Sequence, residues 1–105
     1  MVDHIAHVKQ YDPQADNAVL GQMLRTYRLV LSKPDSAQVS FTDPDEVGRV
    51  RENYLRKKLG VEGSDDELDA AIAEVGAEMQ GDARKDRLVV YYLLAKRFGR
   101  LAVFG

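Results

Sequence analysis

The strongest constraint on this chain is a run of eight apolar residues, Leu88-Val89-Val90-Tyr91-Tyr92-Leu93-Leu94-Ala95. A segment with no polar face has to be covered on most sides by the rest of the protein. Val and Tyr favour strands, but no other segment offers a convincing partner strand. The run is also flanked like a helix, with Lys96 and Arg97 in the last turn and Gly99 just beyond. The spacing predicts a central, mostly buried helix near residues 83–98. A membrane-spanning helix needs about 20 apolar residues, so this run is too short to cross a bilayer. The N-terminus Met1-Val2-Asp3-His4-Ile5-Ala6-His7 has neither the basic nor the long apolar stretch of a secretory leader. A cytoplasmic protein without membrane contact is expected.

The other segments read as the cover. Asp3 is placed to cap a short helix ended by Tyr11-Asp12-Pro13. Asp12 or Asp16 then caps a second helix, with Val19, Leu20, Met23, Leu24, Tyr27, Val30 and Leu31 at helical spacing and Pro34 as its end. Asp43-Pro44-Asp45-Glu46 predicts a capping box opening a third helix through Val47, Val50, Tyr54 and Leu55 to a stop at Gly60. Ser64-Asp65-Asp66-Glu67 is a second capping box, before the stripe Leu68, Ala71, Ile72, Val75, Met79 and a stop at Gly81. The expectation is one all-α domain over residues 1–105, of about five helices, with residues 1–12 a loosely attached first helix. The 105 residues are 45% hydrophobic and include no Cys. That excludes a disulfide scaffold and a thiolate zinc site, and it leaves enough apolar material for one modest core.

The formal net charge of −2 hides alternating blocks: −3 over 1–48, +4 over 49–59, −8 over 60–82 and +5 over 83–105. Each block is about one helix long. The bland explanation is pairing across helix boundaries, which sets register more than stability. The functional one is a face for an acidic partner, an anionic ligand or nucleic acid, through helix 49–58 and residues 84–87: Arg49, Arg56, Lys57, Lys58, Arg84, Lys85 and Arg87. The strongly acidic stretch between them disfavours nucleic acid, since it would repel phosphate. The tail offers Leu101, Val103 and Phe104. Leu101 and Phe104 are expected to fold back on the core, and any that remain exposed would form a dimer or partner interface.

Chemistry-bearing motifs are scarce. His4 and His7 share a helix face with Asp3 or Asp12 nearby, but a metal site normally needs more ligands, and a frayed, solvated terminal helix is the expectation. Residues 62–69 are acidic without the ligand pattern of a calcium loop, and capping explains Ser64–Glu67. No Cys, GxSxG, P-loop or GxGxxG is present. The expectation is therefore no cofactor, no metal and no catalytic residue, with a role in protein interaction or self-association as a homodimer.

Three stretches, Arg49-Val50-Arg51-Glu52-Asn53-Tyr54-Leu55-Arg56-Lys57-Lys58-Leu59-Gly60, Glu67-Leu68-Asp69-Ala70-Ala71-Ile72 and Tyr91-Tyr92-Leu93-Leu94-Ala95-Lys96-Arg97-Phe98-Gly99, resemble in order and spacing the short bacterial proteins of domain-of-unknown-function family 2853. The likeness covers most of residues 40–105. It implies a bacterial, soluble, helical protein and brings no functional residues with it.

Overall fold

In the computed structural model, which describes residues 3–104, the predicted central helix is α6, Arg87–Arg97. Every residue from Leu88 to Ala95 is buried. Against α6 pack α1 (His4–Tyr11), α2 (Asn17–Thr26), α5 (Asp65–Glu78), a π-helical segment (Val50–Lys58) and a closing 3-10 turn (Leu101–Phe104). The short α3 (Arg28–Leu31) continues α2, and α4 (Pro44–Arg49) leads into the π-helical segment. The fold is all-α, a single domain, with no strand among the described residues. Burying each Leu or Val of α6 is worth roughly 1.5–3 kcal/mol, which explains why this helix organises the rest.

Several boundaries differ from the sequence expectation, each for a physical reason. Helix α6 starts at Arg87, not near Ala83, because the Asp86 carboxylate accepts the Leu88 N–H at 2.9 Å and caps the helix there. Residues 82–86 form a connection held by an antiparallel bridge, with Val39 N–H donating to Lys85 O at 2.9 Å and Arg87 N–H to Ala37 O at 2.8 Å. Helix α5 ends before Gly81. The Lys85 ammonium donates to the carbonyl of its cap residue Met79 and to that of Asp82 in the connection, at 2.5 Å each. At α5's other end the Ser64–Glu67 capping box forms in both directions. The box expected at Asp43–Glu46 does not. Asp43 caps α4 through the Asp45 N–H, while Glu46 turns inward. Gly60 and Gly99 follow their helices at φ 68° and 67°, the left-handed stop that glycine adopts without strain.

The π-helical segment has a sequence cause. A 3.6-residue repeat through Val47, Val50 and Tyr54 would next bring Lys58 to the apolar face. Wider i→i−5 turns place buried Leu59 there instead, and the Leu59 N–H bonds Tyr54 O at 2.9 Å. Tyr54 is thereby laid flat on Tyr91, ring centroids 3.8 Å apart, with its hydroxyl donating to Tyr91 O at 2.6 Å. Tyr27 meets Tyr91 edge-on at 5.0 Å, and Phe104 closes the cluster.

Helix α1 is not the frayed, solvated element the sequence suggested. Val8 and His7 are buried. Asp86, fully buried, faces His4 Nδ1 at 2.6 Å and His7 Nδ1 at 3.2 Å. The other nitrogen of His7 bonds Asp82, which also accepts the Tyr11 hydroxyl at 2.9 Å. Two histidines and two aspartates some 75 to 82 residues apart in sequence thus fasten the first helix to the start of the last.

Candidate functional site

Most of the cationic residues singled out by charge are engaged within the chain. Arg56 bonds Glu52, Asp65 at 2.8 Å and the Gly63 carbonyl at 2.8 Å. Lys85 is spent on the Met79 and Asp82 carbonyls, and Lys58 lies over the Phe104 ring, 5.4 Å from its centroid. Lys57 is exposed and Arg84 half-buried, and neither side chain has an ion pair among the described residues. Arg51, which charge counting did not single out, is the principal link between the π-helical segment and α5. It donates to Glu52 at 2.7 Å and to both oxygens of Asp69 at 2.9 and 3.0 Å. The −8 block is therefore neutralised in part by the +4 block beside it.

Arg49 and Arg87 behave differently. Arg87 lies across the start of α6, donating to Ser36 O at 2.6 Å, Gln38 O at 3.3 Å, the Tyr91 hydroxyl at 3.0 Å and Glu46 Oε1 at 2.5 Å. Burial works against its charge, but Tyr91 and Glu46 outweigh that and hold its pKa above the ordinary guanidinium value. Arg49 grips the other oxygen, Glu46 Oε2, at 3.0 and 3.2 Å, and its side chain is 60% exposed. Two guanidiniums thus share one buried carboxylate at the floor of an open groove between the 33–43 connection and α4. Asn53, Ser40 and Tyr91 complete its walls, with Asp35 and Asp43 on the rim.

The tail residues divide. Phe104 is buried, Leu101 packs partly on the core, and Val103 is 42% exposed. As an interface the tail offers Val103. Leu29 on α3, which the sequence reading did not single out, is the most exposed large apolar side chain among the described residues, at 76%.

The acidic and histidine-bearing segments do not converge on a metal site. Asp3 caps α1, and Asp12 accepts the Tyr92 hydroxyl at 2.6 Å and the Lys96 ammonium at 2.9 Å. Among the described residues no three His, Asp or Glu side chains are arranged to hold a metal ion. No described helix is long and apolar enough to cross a membrane.

Fold and groove together define a small all-α domain wrapped on one buried helix, with a charged girdle and a buried carboxylate, Glu46, shared by two arginines. The chain belongs to DUF2853, a protein family of unknown function, whose model matches residues 3–102. No curated protein matches the chain.

Proposed function

We propose that the protein is an interaction module and that it receives an acidic, extended polypeptide segment in the groove beside Arg49 and Arg87. The observation that supports this reading is the shared Glu46: one buried carboxylate answers two guanidiniums, so Arg49, the exposed one, keeps donors for a further carboxylate. Arg87 is held by four acceptors and forms the floor. Arg49 has one, and its remaining N–H donors face solvent with the geometry to grip a carboxylate. The groove is open and shallow, which suits a chain laid along it better than an enclosed small molecule.

Titration of the labelled protein with an oligoglutamate peptide, followed by amide NMR, tests this. Shifts at Gln38, Ser40 and Asn53 that Arg49→Ala removes are expected. An unmoved spectrum rejects the groove, and the same shifts with single-stranded RNA in place of the peptide replace the reading with nucleic-acid binding. A second reading, self-association, rests on exposed Leu29 and Val103. Light scattering at micromolar concentration decides it: a dimer that Leu29→Lys dissociates supports it, and a strict monomer ends it.

A further inference from the structure

Gln38 lines the groove and also a second concavity of about 350 Å³, walled by His4, Arg84 and the apolar side chains of Leu31, Pro34 and Ala37. That volume is at the small end of ligand sites, which run about 300–1,000 Å³. Ser32 and Gln38 also line it. Its two ionisable residues, His4 and Arg84, are prepared in different ways. The Asp86 carboxylate is fully buried, spends Oδ1 on the Leu88 N–H, and turns Oδ2 to His4 and His7. A carboxylate oxygen accepts hydrogen bonds, so the nitrogens facing it carry hydrogens. His7 has carboxylates on both sides, Asp86 at Nδ1 and Asp82 at Nε2, and is fully occupied. His4 has one. In the neutral ring, a hydrogen on Nδ1 leaves a lone pair on the other nitrogen.

That far nitrogen has no partner among the described residues. The His4 side chain is 14% exposed and lines the concavity. Arg84 lines the same concavity. The Arg84 backbone is fixed by its N–H bond to Asp82 at 3.0 Å, while its guanidinium makes no hydrogen bond or ion pair to any described residue. The site thus combines a free planar cation, a fixed acceptor and a short apolar wall.

We propose that this concavity binds a small 2-hydroxycarboxylate. Its carboxylate meets the Arg84 fork, its hydroxyl donates to His4 Nε2, and its carbon end lies on Leu31, Pro34 and Ala37. A guanidinium pairs best with a planar carboxylate. A lone pair next to it rewards a ligand with an O–H adjacent to the charge and offers nothing to one without.

Lactate and propionate differ by that hydroxyl, and chloride at equal ionic strength controls for screening. Long-range ¹H–¹⁵N spectra of the histidine rings and amide spectra of the whole protein read the binding. Lactate is expected to move the His4 ring signals and the amides of Gln38 and Arg84 saturably at millimolar concentration. It should bind about tenfold tighter than propionate, the value of one hydrogen bond to the site. Arg84→Gln, which leaves the Asp86 network intact, should abolish both. His4→Gln should erase the preference, with the His7 amide reporting that α1 stays docked. Equal binding of lactate and propionate, shifts reproduced by chloride, or no saturable shift at His4 each overturn the proposal. Lactate binding unaffected by Arg49→Ala keeps this site separate from the groove.

Discussion

Two junctions in this molecule are built from the same kinds of charge and differ in how much water reaches them. At the first, Arg51 and Arg56 of the π-helical segment meet Glu52, Asp65 and Asp69 around the start of α5, with carboxylate side chains 39–61% exposed. At the second, His4 and His7 of α1 meet Asp82 and Asp86 at the foot of α6, with the carboxylates at 21% and 0%. Solvent screens the first set and has already hydrated its charges, so forming the pairs changes little. The second set gave up hydration on folding and is held by convergent hydrogen bonds. Its pairs count for most when one partner is taken away. The first junction therefore sets register between two helices, and the second decides whether α1 is attached.

The largest effect expected from this contrast is at Asp86. Asp86→Ala removes the cap of α6 and the shared partner of half-buried His4 and buried His7, and should cost about 3–5 kcal/mol in urea unfolding. Hydrogen exchange should show α1 losing protection before α5. A loss under about 1 kcal/mol would put this junction in the same class as an exposed ion pair and erase the distinction.

Acid tests both junctions at once. Burial alone would raise the Asp82 carboxyl, but the bonds from His7, the Arg84 N–H and Tyr11 outweigh it and hold it below the usual carboxylate value. A carboxyl held low stabilises the fold above its unfolded pKa of about 4 and loses that contribution as pH falls through the folded value. Glu52 and Asp65, also held low by arginines, behave in the same sense. Salt separates the two: it should flatten the exposed component and leave the Asp82 component, which Asp82→Asn removes. At the alkaline end Tyr11 is pushed up to about 12 by burial and by its bond to Asp82. Its contribution is complete below about 10 and is lost as pH rises through the folded value.

A smaller loss is expected at the capping box that starts α5. Ser64→Ala removes the acceptor of the Glu67 N–H, 3.2 Å away, and should cost about 1 kcal/mol by thermal or urea unfolding. An effect as large as that of Asp86→Ala would mean that the exposed junction is as decisive as the buried one.

That box was legible in four consecutive residues, because both of its partners are local. So was the burial of Leu88–Ala95 and the stripe Leu68, Ala71, Ile72, Val75, Met79, since periodicity reports a face without needing to know what covers it. What the sequence hid depends on partners far along the chain. Asp86 reads as one acid among bases, yet it sets the start of α6 and docks two histidines some 80 residues away. Glu46 has the spacing of a cap, but Arg87, 41 residues on, draws it inward and shares it with Arg49. Charge counting found Arg49 and Arg87 without this sharing. It passed over Arg51, whose partner Asp69 lies 18 residues away. The π-helical segment had a visible signal in the intervals of four and five residues between Val50, Tyr54 and Leu59, which a 3.6-residue template does not fit.

The smallest effect should be the Arg51–Asp69 coupling, and it is the one that most sharpens the contrast. The geometry is favourable: one guanidinium nitrogen reaches both carboxylate oxygens at 2.9 and 3.0 Å, while a second reaches Glu52 at 2.7 Å. If distance decided strength, this would be among the strongest pairs in the molecule. If hydration decides it, a double-mutant cycle of Arg51→Ala and Asp69→Ala gives a coupling near the limit of measurement at low salt. At 1 M salt, where the screening length shrinks to about 3 Å, it should vanish. A salt-insensitive coupling would show that the four charges clustered around Arg51 act as a network that excludes water. The π-helical segment would then be anchored by its charges as firmly as α1 is by its histidines.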